Sequence, residues 1–201
     1  MKIISNEIKL GNILISNNKP LTLIGGVNVI ENRDFTYECA EVYKKVCQKL
    51  SINLVFKASY DKANRSSVDS FRGPGIDEGL KILSEIKNEL DLFIISDVHT
   101  PEEAMKASSI LDIIQLPAFL ARQTDLIHSL ANTGKIINIK KSQFMSPFQV
   151  RNIVNKFLQF GNNQLLICER GHTFGYDNLI VDMLAFGEVK KHATIYPLFL
   201  M

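Results

Sequence analysis

The chain has 201 residues, 46% of them hydrophobic, and a formal net charge of +2 at pH 7. This composition predicts one globular domain over residues 1–201 and argues against non-specific binding of nucleic acid. No apolar run approaches the roughly 20 residues that a bilayer span requires, and the N-terminus lacks a signal-peptide pattern, so we expect a cytoplasmic protein without membrane partners. The cysteines Cys39, Cys47 and Cys168 form no C-x-x-C pair, and we expect reduced, mostly buried thiols.

The N-terminal extension, residues 1–18, predicts a β-hairpin ahead of the main fold. Two β-branched runs at 8–10 and 13–15 flank the turn signal Gly11-Asn12. We expect this hairpin to plug one end of the fold.

From Leu21 onward, short continuous apolar runs alternate with helix-like segments. Such runs predict strands that are buried on both faces, as in a parallel sheet covered by helices. Six runs fit this description, at residues 21–25, 53–56, 92–95, 112–114, 136–139 and 165–167. Their repeated alternation with helices, without a linker, predicts an α/β fold.

The segments between the runs carry helix signals. Residues at helical spacing predict two apolar stripes that we expect to pack on the core, namely Phe35, Cys39, Val42, Val46 and Leu50, and then Leu80, Leu83, Ile86 and Leu90. A capping box with proline in the first turn is predicted at residues 100–103, and Ser146-Pro147 predicts another helix start.

Polar side chains follow each of the six predicted strands. In order they are Asn28, Lys57, Asp97 with His99, Gln115, Lys140 with Lys141, and Arg170. An open sheet concentrates its ligand-binding residues at one crevice, whereas a β/α barrel collects them from the ends of many strands. We therefore predict a fold of the (β/α)8 TIM-barrel class. No G-x-G-x-x-G follows the first strand, so a dinucleotide site is not predicted.

The stretch 56–75 predicts an anion-binding cradle. It clusters Lys57, Lys62, Arg65 and Arg72 with hydroxyl and amide side chains and ends in Gly73-Pro74-Gly75, whose backbone N–H groups can approach a ligand.

Together with Lys140 and Arg170, these cations would hold two phosphates, or a phosphate and a carboxylate. Asp97, with Asn64, Gln115 and His99 nearby, could orient hydroxyls or carry a proton. The alternative interpretations are that single lysines are solvated, that Asp97 only caps a helix, and that His99 is a structural histidine.

Several motifs closely resemble those of the 3-deoxy-D-manno-octulosonate 8-phosphate synthase family. They are FKAS at 56–59, KANRSS at 62–67, RGPG at 72–75, DVH at 97–99, QLPAFLARQTD at 115–125, NIKK at 138–141 and FGYDNL at 174–179. The resemblance extends to about Lys191, and Ser142 is a minor departure from it.

The resemblance implies a β/α barrel that assembles as a homotetramer and needs no cofactor. Its reaction condenses phosphoenolpyruvate with D-arabinose 5-phosphate and water, releases phosphate and serves lipopolysaccharide biosynthesis. The implied roles place Lys57, Ser59 and Lys62 on the phosphoenolpyruvate carboxylate. Its phosphate would be held by Lys140, Arg170 and the Ala118 backbone, helped by Lys62. The implied sugar phosphate site consists of Asn64, Arg65, Ser66 and a neighbouring subunit's Arg122. Asp97 would contact a hydroxyl, Gln115 would bind substrate, and Lys57, Lys62, Asn28 and Asp97 form the implied catalytic set.

Asn28 stands where metal-dependent members of that family carry a cysteine. A neutral amide is a much weaker zinc or iron ligand than a thiolate, so the resemblance implies the metal-independent class.

The resemblance stops after Lys191. Barrels of this class need about 250 residues, so we expect an incomplete barrel of six strands, with residues 195–200 as a candidate seventh. The incomplete barrel leaves one alternative to the active synthase, a non-catalytic, truncated remnant that at most binds phosphoenolpyruvate. A weaker alternative is the related 3-deoxyheptulosonate 7-phosphate synthase, which uses erythrose 4-phosphate, and the motif at 63–66 resembles the octulosonate family instead.

Overall fold

The computed structural model describes residues 7–192 and 197–200. Its N-terminal hairpin consists of β1 (Ile8–Leu10) and β2 (Ile13–Ile15), which pair antiparallel with Ile8 opposite Ile15. The predicted hairpin is therefore confirmed. Its apolar side chains are buried against side chains from the strands of the main sheet: Val55, Ile95, Ile113, Ile136 and Leu166. The hairpin thus plugs one end of the sheet, as expected.

The main sheet is parallel and curled, and its strands follow one another in chain order. They are β3 (Thr22–Gly26), β4 (Asn53–Lys57), β5 (Phe93–Asp97), β6 (Ile113–Leu116), β7 (Ile136–Lys140), β8 (Leu165–Glu169) and, after a short antiparallel pair, β11 (Leu198–Leu200). The short pair is β9 (His172–Thr173) with β10 (Leu179–Ile180).

The six predicted strands are confirmed, with ends shifted by a few residues. Part of the candidate seventh is also present, because Leu198 pairs with Ile167 of β8, whereas residues 195 and 196 lie outside the described part. Within the described residues β3 and β11 lie at the two ends of the strand order and do not pair, so the barrel is incomplete there.

Helices connect the strands. They are α1 (Arg33–Leu50), α2 (Ile76–Leu90), α3 (Pro101–Ser108), α4 (Thr124–Asn132), α5 (Val150–Gln159) and α6 (Leu184–His192). Among the described residues, none of the helices is long and apolar enough to cross a membrane.

The helix starts use the predicted caps, with one difference. Thr100 Oγ1 accepts a hydrogen bond from Glu103 N at 3.4 Å, as an N-cap should. The Glu103 carboxylate, however, accepts from the backbone N–H of His99, one residue farther back than a capping box requires. Ser146 and Gln149 do form a capping box, before α5.

The two predicted apolar stripes have different outcomes. Leu80, Leu83, Ile86 and Leu90 of α2 are all buried, as expected. The α1 stripe does not pack on the sheet, because Val42 remains 58% and Val46 50% exposed, and the buried side chains of α1 are Thr36, Ala40 and Cys47. The expectation was wrong for α1, since its smaller side chains occupy the face that approaches β4.

One close helix contact bears on the site. A Cβ atom on Gly79 of α2 would overlap the Cβ of Tyr60, a fully buried residue that follows β4. Glycine at this position therefore lets α2 lie directly against the start of the predicted cradle.

The three cysteines are free thiols, as expected. Cys47 and Cys168 are buried, and Cys39 is partly buried.

Candidate active site

A cavity of about 920 Å³ lies at the carboxyl ends of the parallel strands. Its volume falls in the range of small-molecule sites, and this end of a β/α barrel is where such sites form. Its lining combines polar residues at the ends of β3 to β8 with residues of the segment 15–24, which precedes β3 and includes part of it, and with Pro197.

Most of the predicted site residues line this cavity. They are Asn28, Lys57, Lys62, Asn64, Asp97, Gln115, Ala118, Lys140 and Arg170. They come from elements far apart in sequence, and the common direction of the parallel strands brings them together.

Lys57, Ser59, Lys62 and Asp97 form one connected hydrogen-bond network. Lys57 Nζ donates to Ser59 Oγ and to Asp97 Oδ1, both at 2.7 Å, and Lys62 Nζ donates to Ser59 Oγ at 2.9 Å. Ser59 Oγ in turn donates to Asp97 Oδ1. Ser59 is fully buried and is not among the residues that line the cavity. It therefore positions the Lys57 and Lys62 ammonium groups from the protein interior.

The electrostatics of this network favour a bound anion. Burial lowers the pKa of Lys62 to about 8, against the attraction of Asp97 and with further repulsion from Lys57 and Lys140. Burial also lowers the pKa of Lys140, beside Arg170. Burial alone would raise the pKa of Asp97, but Lys57, His99 and Lys62 hold it well below its usual value. Four cations against one carboxylate leave a positive potential that an anionic ligand would offset.

His99 lies between two carboxylates. Its Nε2 is 3.2 Å from Asp97 Oδ2, and its Nδ1 is 3.5 Å from Glu103 Oε2, a distance of an ion pair rather than a good hydrogen bond. Burial disfavours the charged ring, but the two carboxylates outweigh this effect and raise the pKa of His99 to about 9. Glu103 Oε2 also accepts from Tyr60 Oη at 2.8 Å.

Polar groups deeper in the cavity have unused hydrogen-bonding capacity. Asn138 Nδ2 donates to Gln115 Oε1 at 3.2 Å, while Asn138 Oδ1 and Arg170 Nε are buried and have no partner within the described residues. Buried polar atoms without partners are uncommon, and a bound ligand would satisfy them. Burial raises the pKa of the neighbouring Cys168 thiol to about 11, so this thiol is neutral at pH 7.

Lys141 and Glu169 form a buried ion pair that stabilises the backbone next to the site. Both are almost completely buried, with Lys141 Nζ 3.2 Å from Glu169 Oε1. That oxygen also accepts from Arg170 N at 2.9 Å and Gly171 N at 2.7 Å, which fixes the backbone that carries Arg170. Lys141 is therefore a structural cation, unlike Lys140.

Besides Ser59, four other residues of the predicted cradle and site do not line the cavity. Arg65, Ser66 and Arg122 are exposed, and Arg72 binds the Asp61 carboxylate through Nε at 2.8 Å. The prediction that Arg72 joins the other cations around one anion site is therefore wrong, because Arg72 is paired with Asp61 and does not line the cavity. The roles implied for Arg65, Ser66 and Arg122 stay predictions.

Sequence reasoning missed Asn138, Glu103, Tyr60 and Glu169. Asn138 and Glu169 interrupt otherwise apolar strands, and a polar residue inside a buried strand is a usable signal. Glu103 was interpreted as a helix cap, and nothing in the sequence connects it with Tyr60.

Comparison with known proteins assigns the family. A sequence model described as the DAHP synthetase I family matches residues 2–200. A 2-dehydro-3-deoxyphosphooctonate aldolase of Parasynechococcus marenigrum (strain WH8102) is 60% identical over 194 residues, which cover 96% of this chain and 69% of that protein. A protein of the same name from Vibrio atlanticus (strain LGP32) is 55% identical over 191 residues, which cover 95% of this chain and 67% of that protein. By both the family model and these relatives, the chain is a member of the DAHP synthetase I family.

Proposed function

We propose that this protein condenses phosphoenolpyruvate with D-arabinose 5-phosphate and water to give 3-deoxy-D-manno-octulosonate 8-phosphate and phosphate, in lipopolysaccharide biosynthesis in the cytoplasm. The single observation that carries the proposal is the set of four cations, Lys57, Lys62, Lys140 and Arg170, that lines one cavity with Asp97. The names of the relatives favour this reaction over the heptulosonate synthase and over a non-catalytic remnant.

The cations suit the two anionic groups of phosphoenolpyruvate. Lys57 and Lys62, linked through Ser59, would hold the carboxylate, and Lys140 with Arg170 and the Ala118 backbone would hold the phosphate. Asn64 would contact the sugar phosphate together with Arg65 and Ser66, while Gln115 and Asp97 would contact substrate oxygens.

The chemistry then depends mainly on positioning and charge. C3 of phosphoenolpyruvate forms a bond to the aldehyde carbon of the sugar, water adds at C2, and the bond between C2 and the phosphate oxygen breaks. The water oxygen loses one proton as it attacks C2 and the other as C2 becomes a ketone. One proton is added to the aldehyde oxygen, and one to the departing phosphate. Lys62, with a pKa of about 8, is suited to proton transfer near neutral pH. The fixed cations stabilise the oxyanion charge as it develops.

A phosphate-release assay with both substrates, and with each substrate omitted, tests the reaction. We expect turnover that requires both substrates and is lost in Lys57→Met. The matched control is Lys81→Met, because Lys81 is an exposed lysine of α2 outside the cavity. Phosphoenolpyruvate binding without turnover would instead support the remnant, and preference for erythrose 4-phosphate in competition would support the heptulosonate synthase.

Metal independence is part of the proposal and has its own test. Asn28 lines the cavity with a neutral amide where a metal-binding relative would need a thiolate. Turnover should therefore survive dialysis against a chelator. Loss of turnover on chelation, restored by zinc or iron, would contradict this assignment.

We also propose a homotetramer in which Arg122 reaches the site of a neighbouring subunit. Arg122 is exposed and lies outside the cavity of its own chain, and Phe119 nearby is 51% exposed. Light scattering after size exclusion should show four chains, and mixing an Arg122→Ala variant with a Lys57→Met variant should restore part of the activity. Persistent inactivity of mixed tetramers would contradict a shared site.

A further inference from the structure

The Glu103 carboxylate makes contacts with His99 and Tyr60 that a helix-capping role does not require. It occupies the third position of α3, where a capping-box carboxylate accepts from the N-cap N–H. In this structure Glu103 Oε2 accepts from His99 N and from Tyr60 Oη, both at 2.8 Å. The same oxygen lies 3.5 Å from His99 Nδ1.

A carboxylate on each side of the ring favours the charged form of His99 by ion pairing, and Nδ1 has no hydrogen-bond partner within the described residues. A neutral imidazole carries one N–H, so its other nitrogen would present a lone pair to a carboxylate. Only the imidazolium presents N–H groups to both Asp97 and Glu103. The side chain of His99 is 12% exposed and that of Asp97 is 9% exposed, so little solvent screens these contacts.

The charges facing His99 from each neighbouring element agree with this state. Asp97 ends β5, Glu103 belongs to α3, and the edge of the Tyr60 ring faces the imidazole at a centroid distance of 5.9 Å. Beyond them, Lys57 and Lys62 lie on the Asp97 side, and the ion pair of Arg72 with Asp61 lies on the Glu103 side.

We propose that Glu103 is a positioning residue that, by holding His99 as an imidazolium, fixes the Asp97 carboxylate against Lys57 and Ser59 in the phosphoenolpyruvate pocket. The contribution is twofold. The imidazolium holds Asp97 Oδ2, so that Oδ1 stays directed at Lys57 Nζ and Ser59 Oγ, and its charge offsets that of Asp97. The pocket thus keeps its positive potential although it contains a carboxylate. This inference rests on the proposed function.

The direct test is an NMR pH titration of the His99 ring, assigned by comparison with a His99→Asn variant. We expect a midpoint near 9 in the parent protein. Glu103→Gln should lower the midpoint by about one unit or more, roughly a tenfold loss of proton affinity. Glu102→Gln is the matched control, because Glu102 lies in the same first turn of α3 and is exposed. Tyr60→Phe, which removes only the phenol donor to Glu103, provides a milder second variant if Glu103→Gln folds poorly.

Phosphoenolpyruvate affinity as a function of pH separates positioning from a general effect on the fold. Glu103→Gln should bind like the parent protein at pH 6 and roughly 3- to 10-fold more weakly at pH 8.5, where its His99 has become neutral. An unchanged His99 midpoint in Glu103→Gln, an equal shift in Glu102→Gln, or unchanged affinity at pH 8.5 would each overturn the proposal. If the parent protein binds no phosphoenolpyruvate, the proposed function fails, whereas the NMR titration still decides whether Glu103 holds the imidazolium.

Discussion

Raising the pH from 7 to 9 should weaken phosphoenolpyruvate binding through Lys62. Burial lowers the pKa of this ammonium to about 8 in the free protein. A bound carboxylate or phosphate favours the charged form, so binding above that pH must be accompanied by proton uptake. For a group with this pKa, the dissociation constant rises by a factor of about 11 at pH 9 but only about 1.1 at pH 7, so the net loss is about tenfold.

Isothermal titration calorimetry in two buffers of different ionisation enthalpy measures both quantities. We expect about 0.1 proton taken up per ligand at pH 7 and about 0.9 at pH 9 from Lys62. Lys62→Arg is the matched control, since a guanidinium stays charged throughout this range. Any loss that arises from His99, Lys140 or the ligand's own phosphate is common to both proteins. An equal pH dependence in the two proteins, or a flat one in the parent, would refute the reasoning.

Three further predictions concern stability, each measured by urea unfolding. Because folding raises the pKa of His99 from 6.5 to about 9, the charged ring should contribute fully to the free energy of unfolding below pH 6.5, and this contribution should be lost as the pH rises through 9. His99→Asn should remove this pH dependence. Lys141→Met should cost about 3 to 5 kcal/mol because it leaves the Glu169 carboxylate buried without its cation, and adding Glu169→Gln should recover part of that cost. Val42→Lys, on the exposed face of α1, should change stability by less than about 0.5 kcal/mol, whereas Ile86→Ala in the core should cost about 2 to 5 kcal/mol.

Each of these predictions can fail in a distinct way. An equal pH dependence of unfolding in His99→Asn would show that the ring is not charged by the fold. A double variant less stable than Lys141→Met would show that the unpaired Glu169 charge is not the main cost of removing the Lys141 ammonium, which also donates to three backbone carbonyls. A large loss in Val42→Lys would show that the α1 stripe is covered in solution.

The strands and the site residues at their ends could be predicted because both depend on local patterns. The run at residues 136–139 is apolar except for Asn138 and is buried on both faces, and the polar Lys140 that follows it lies at the carboxyl end of its strand. With the parallel order established, it follows that Lys57, Asp97 and Lys140 meet at one edge.

The partners of those residues could not be predicted in the same way. Arg72 and Asp61 are close because the cradle turns back on itself, and a charge count cannot distinguish a free cation from a paired one. The orientation of α1 was also undetermined, since that helix has apolar residues on two faces and packs through the smaller ones, including Ala40 and Cys47. Tertiary packing determines both the pairing of Arg72 with Asp61 and the face of α1 that contacts the sheet.

The glycine at position 79 gives the packing of α2 a direct influence on the chemistry of the cavity. Tyr60 is held between this helix and Glu103, so the distance at which the helix lies sets where the phenol hydroxyl can be. A single added methyl group, as in Gly79→Ala, would push the ring or the helix outward and lengthen the Tyr60–Glu103 hydrogen bond. A residue with no side chain and no contact with substrate would then affect how firmly a proton is held on His99.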